Sequence, residues 1–127
     1  MQVIGFTLPN GDEFSIPVEW WAEAGMTAFE PQSAYYCYDS LPQLLVRIKA
    51  IEPPQMDQRK HLDHSGFDHV RMVNVLDAIV SRKPMPPVEV EPLPSNGEYQ
   101  YRLHHGAHRF FASAAVGFTH VPAMLWP

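Results

Sequence analysis

Residues 98–118 read EYQYRLHHGAHRFFASAAVGF, and the way this stretch folds decides the architecture of the chain. Its first part, EYQYRLH at 98–104, alternates as a strand. Its last part, HRFFASAAVG, forms a short helix stopped by Gly117. Gly106 stands between them, where the chain must bend sharply, and His108 and Arg109 fall in the first turn of the helix. Ala112, Ser113, Ala114 and Ala115 are small enough to let that helix approach a sheet closely. Amides of a first helical turn have no partner inside the helix, and the helix dipole draws anions to that end. Arg109 adds a planar fork suited to phosphate oxygens. The chemistry implied is phosphate capture, although local chemistry alone does not separate it from a plain loop-to-helix junction with Arg109 in solvent.

A metal site is the rival for the same histidines. His104 and His108 are four apart, and HLDH at 61–64 offers His61, Asp63 or His64 as further ligands for a divalent ion. The strand-to-helix break at Gly106 removes the helical geometry that a four-residue spacing needs, and no HExxH pattern occurs. No metal ligand set is expected.

Working outward, THVPAMLW after Gly117 closes as a final strand, and PVEVEPL at 87–93 alternates as another, joined to EYQYRLH by the turn PSNG. DHVRMVNVLDAIVSR predicts a helix over 68–82 with Asp68 as N-cap and Val70, Val73, Leu76, Ile79 and Val80 on its apolar face. Before it, EPPQMDQRKHLDHSGFD is polar and turn-rich, and LLVRIKAI at 44–51 reads as a strand. Nearer the N-terminus, QVIGFTL and EFSIPV flank PNGD as a hairpin over 2–18. EWWAEAG at 19–25 makes one or two helical turns, with Trp20 and Trp21 packing a lid onto the core. MTAFEPQSAYYCYDSLPQ reads as irregular, its tyrosines serving packing. The order is mixed α+β: a small mixed sheet with flanking helices over 44–127, preceded by a hairpin-bearing N-terminal extension over 1–43.

Bulk composition narrows the function classes. At 127 residues the chain suits one domain that buries roughly two-thirds of its unfolded surface. Nine Lys+Arg against fourteen Asp+Glu give a formal charge of −5, which disfavours DNA binding through clustered basic residues. One cysteine, Cys37, can form no internal disulfide and fits a reducing compartment. With no signal-peptide pattern and no run of roughly 20 apolar residues, a cytoplasmic protein that makes no membrane contact is expected. Thirteen prolines punctuate the chain into short elements.

Over about residues 44–126 the sequence resembles the ParB/sulfiredoxin superfamily. The resemblance rests on LVRIKAIEPP, DHVRMVNVLDAIVSRKPMPPVEVEPL and GEYQYRLHHGAHRFFASAAVGFTHVPAML, in that order. It implies a small α+β nucleotide-binding domain taking ATP, ADP or CTP with Mg²⁺. By position, His108 and Arg109 match the pair that contacts nucleotide phosphates in sulfiredoxins, and Gly106 matches their turn glycine. Arg71 falls where their helix has Lys, and Asn74 where it has Ser. The sulfiredoxin nucleophilic cysteine corresponds to Ala107, so sulfur–phosphoryl chemistry is not expected. ParB-type DNA partition is not expected either, for want of a helix-turn-helix segment. A serine-phosphorylating branch of the superfamily uses an early acidic residue as base, a role that Glu52 or Asp57 could fill, with His108 as a second candidate catalytic group. The expected function is a nucleotide-dependent phosphotransferase or hydrolase. The alternatives are an inactive binding module that meets a protein partner through the aromatic N-terminal extension, and, further off, a ParB-like nuclease.

Overall fold

The computed structural model describes residues 1–30, 44–59, 62–83 and 85–127. The irregular reading of 26–43 therefore falls largely outside the described residues, Cys37 and the tyrosines included, as does His61. The fold is α+β. An N-terminal hairpin pairs β1 (Val3–Thr7) with β2 (Glu13–Pro17) antiparallel, Gly5 facing Ser15 and Phe6 facing Phe14. Its tip is closed by Asn10, whose Oδ1 accepts from the Asp12 amide at 2.9 Å while its Nδ2 donates to the Tyr99 hydroxyl at 2.9 Å. Helix α1 (Val18–Glu23) follows directly.

The main sheet has five strands: β3 (Leu44–Arg47), β4 (Ile51–Glu52), β5 (Val88–Pro92), β6 (Tyr101–His105) and β7 (His120–Leu125). Their order is β3-β7-β5-β6-β4, with β5–β7 and β6–β4 parallel and the other two pairs antiparallel. The single strand expected over 44–51 is thus two strands, split by a 3-10 turn at Ile48–Ala50 and placed on opposite edges of the sheet. Alternating apolar residues in LLVRIKAI run through the break, so the pattern conceals it. The break also dictates the sheet's shape. Four strand spacings in a flat sheet span about 19 Å, whereas the four residue steps from Arg47 to Ile51 reach at most about 14 Å fully extended. The sheet must therefore curl until its edges approach. Two hydrogen bonds pin the bridging turn across that gap: Ile48 N–H to the Thr119 carbonyl and Gln100 N–H to the Ala50 carbonyl, both 2.9 Å.

Helices α2 (His69–Ser81) and α3 (Ala107–Ala115) pack on each other, and α3 also packs on β5 and β7. Asp68 caps α2 as expected, its Oδ2 accepting from the Arg71 amide at 2.9 Å. Of the expected apolar face of α2, Leu76 and Ile79 are buried and Val73 and Val80 pack partly buried against the core, whereas Val70 is 65% exposed and Met72 and Ala78 are buried in addition. Helix α1 also packs on α2, so α2 is covered on two sides and its stripe turns towards Met72. Trp20 is buried, stacked on the His69 ring at 4.7 Å and 9°, which bears out its reading as a packing residue. Leu8, Phe14, Ile16 and Met26 belong to the same apolar cluster as Leu76, Phe110 and Val121. The N-terminal hairpin is therefore part of the molecule's core. No helix among the described residues is long and apolar enough to cross a membrane.

Candidate functional site

The strand–glycine–helix unit forms as the sequence predicts. Gly106 takes φ +103°, ψ +34° as the N-cap of α3. A Cβ there would stand 2.9 Å from Val88 Cγ1 and 3.1 Å from Arg109 Nη2, so the bend requires glycine for backbone conformation and for close approach to β5.

This bend forms one wall of a hollow of about 430 Å³, and the first two turns of α2 contribute Arg71, Asn74 and Val75 to its lining. Arg71, Asn74, Gly106, His108 and Arg109, singled out from sequence at separations of up to 38 residues, all line it. Arg59, from the 3-10 turn Met56–Arg59, joins them. Its Nε donates to the Gly66 carbonyl at 2.9 Å, which fixes the guanidinium's place. Nothing local in QMDQRKHL marks Arg59 for this wall, because only the fold of the segment brings it there. Among the described residues, three guanidinium groups and no carboxylate line the hollow, on a chain whose net charge is −5.

Two expected ligand groups have structural partners. Arg109 Nη1 donates to the Pro86 carbonyl at 2.6 Å and the Pro87 carbonyl at 2.8 Å. It thereby clamps the proline segment entering β5, and part of its fork is already committed. His108 is buried, and its Nε2 accepts the Asp68 amide hydrogen at 2.8 Å. That bond assigns the neutral ring's proton to Nδ1 and ties the start of α3 to the N-cap of α2.

Burial pushes the His108 pKa down from 6.5 to about 4, helped by the charges of Arg59 and Arg71 and opposed by Asp68. At neutral pH His108 is an uncharged hydrogen-bond acceptor, so any contact it makes with a phosphate carries no positive charge. Because the folded chain binds this proton less readily than the unfolded chain, the His108 contribution is fully present above pH 6.5. It is lost as pH falls through that value towards about 4. Urea unfolding at pH 7 and pH 5 is expected to differ by about 2 kcal/mol from this group, and His108→Gln, which does not titrate, removes that part of the difference.

Glu52, expected as a catalytic base, is not on the hollow's lining. Its Oε2 accepts from Arg102 Nε at 2.9 Å, and Glu91 lies 3.6 Å from Arg102 Nη1. The cause is register: Glu52 and Arg102 face each other across the parallel β4–β6 pair. Asp57 lies in the 3-10 turn with Arg59, its side chain outside the described part of the structure. Among the described residues no three His, Cys, Asp or Glu side chains group so as to hold a metal ion. The ring of His104 instead lies against Trp126, tilted by 30° with centroids 3.7 Å apart. Compared with protein-family models and with curated protein sequences, the chain matches none.

Proposed function

We propose that this chain is a nucleotide-binding protein of the ParB/sulfiredoxin type, whose cationic hollow takes the phosphates of ATP, ADP or CTP. The observation that carries this reading is the convergence of Arg59 and Arg71 on the N-terminal turn of α3 around a hollow that no carboxylate lines among the described residues. Guanidinium groups in a partly desolvated site hold phosphate oxygens through charge-assisted hydrogen bonds, and first-turn amides add to that field. Asn74 on the α2 wall supplies a neutral donor and acceptor. Mg²⁺ would come with the nucleotide phosphates, since no carboxylate among the described residues lines the wall to hold it.

Binding without turnover is the form of this proposal that the Glu52–Arg102 pair favours. A base for phosphoryl transfer must reach the acceptor hydroxyl, and Glu52 is engaged elsewhere. The phosphotransferase or hydrolase reading then needs another carboxylate. A cytoplasmic setting, with no membrane or DNA partner, goes with this proposal.

Thermal unfolding with ATP, ADP and CTP, each with Mg²⁺, tests it. A ligand present at a hundredfold its Kd stabilises the native state by about 2.7 kcal/mol, which raises Tm by several degrees. At least one nucleotide is expected to do so in the wild-type chain and to lose most of the effect in Arg71→Ala. No shift with any nucleotide would reject the proposal.

A further inference from the structure

A second and larger hollow, about 1260 Å³, lies beneath the N-terminal hairpin, walled by residues 53–56 and 62–66. On its lining Ser15 Oγ and His64 Nε2 stand 2.9 Å apart. We propose that Ser15 and His64 form a nucleophile–base pair that hydrolyses carboxylic esters in this hollow.

Three features support it. Ser15 lies across from Gly5 in the hairpin register, and a Cβ at Gly5 would meet nothing within 4 Å, so there is room for an acyl group beside the hydroxyl. His64 is held through both its ring and its backbone. Trp20 meets it edge-on at 6.0 Å and 78°. Its backbone closes a tight turn through His64 N–H to the Phe67 carbonyl (3.1 Å) and Phe67 N–H to the His64 carbonyl (2.7 Å), with Ser65 at φ +51° and Gly66 at φ +87°. A nucleophile and base already in hydrogen-bond contact is the first requirement of hydroxyl activation. Finally, the lining is divided in character: Phe14, Met56 and Phe111 offer an apolar wall, while Asp12, Glu13 and Asp63 are acidic. It fits an ester with an apolar acyl chain and a neutral or cationic alcohol.

With the His64 proton on Nδ1, the Ser15 hydroxyl donates to Nε2. Attack of Oγ on the ester carbonyl carbon passes the hydroxyl proton to Nε2. The ester C–O bond then breaks, the departing alcohol oxygen takes that proton, and the acyl group stays on Oγ. Water attacks the acyl carbon, gives a proton to Nε2, and the acid leaves as Ser15 Oγ recovers its proton. No other reactant is required. The pair uses neither Arg59 nor Arg71, so it stands apart from the nucleotide reading.

Reaction of the full chain with a tagged fluorophosphonate, followed by peptide mass mapping, tests the pair alongside hydrolysis of p-nitrophenyl butyrate. The expected result is a label on Ser15 and ester turnover above buffer. Both rates should fall about a hundredfold or more in His64→Gln, a change that keeps a hydrogen-bonding side chain next to Ser15 and an unchanged circular dichroism spectrum. Gly5→Leu, which fills the open space, should slow the ester more as its acyl chain lengthens. A wild-type chain unlabelled at Ser15, or a folded His64→Gln labelled at the wild-type rate, would overturn the proposal and leave the hydrogen bond as a structural tie between hairpin and turn. Because labelling of the wild type decides by itself, failure of a variant to fold does not protect the proposal.

Discussion

Gly106→Val is expected to destabilise the chain by about 4 kcal/mol and to lower Tm by on the order of 15 °C. Two costs add. A β-branched residue held at φ +103° is far from any backbone region open to it, which costs about 1–3 kcal/mol. The new side chain also meets Val88, whose Cγ1 would lie 2.9 Å from the added Cβ, and overpacking of this kind costs about 1–3 kcal/mol. Val88 is fully buried in β5 and cannot swing away without moving the sheet. Thermal unfolding followed by circular dichroism measures the loss. A fall of less than about 2 °C would show that the bend tolerates a side chain and that close approach to β5 is not needed.

The second large effect is expected at Phe67. Its ring is fully buried and meets Phe111 at 5.2 Å, His108 at 5.8 Å and Phe14 at 6.1 Å. It therefore joins the N-terminal hairpin to α3 and to the histidine that ties α3 to the α2 N-cap. Phe67→Ala is expected to cost about 3–5 kcal/mol, since the cavity left among aromatic rings closes poorly. That is a large share of the roughly 5–15 kcal/mol that holds a domain together. Urea unfolding should show the midpoint shifted with little change in slope. A loss below about 1 kcal/mol would mean that the hairpin and α3 are held by other contacts.

Phe67 also marks where the sequence ceases to be legible. It sits in a polar, turn-rich run whose neighbours are Ser65, Gly66 and Asp68, and nothing in that run shows that one ring enters the core. The hairpin, the Asp68 cap and the strand–Gly106–helix unit could be read because each rests on chemistry within a few residues. Arg71 and Asn74, which only the resemblance singled out, line one hollow with Arg109; no local chemistry in the helix sequence marks them for it. Arg59 escaped notice because its place depends on a hydrogen bond to the Gly66 carbonyl that only the folded turn offers. The split of 44–51 into two strands is likewise a property of the curled sheet, and local alternation carries no trace of it. His108 was correctly placed in the first turn of α3. Its charge state was not readable, because burial beside Arg59 and Arg71 sets it.

The claim that these guanidinium groups form a nucleotide phosphate site is tested most directly by calorimetric titration of the wild-type chain and of the double variant Arg59→Ala/Arg71→Ala. Neither guanidinium is a core group, so both proteins should fold. Saturable binding of ATP, ADP or CTP with Mg²⁺ at one site per wild-type chain is predicted, weakened about a hundredfold or more in the double variant. Absence of binding heat in the wild type over a temperature range, or equal affinity in the two proteins, would contradict it.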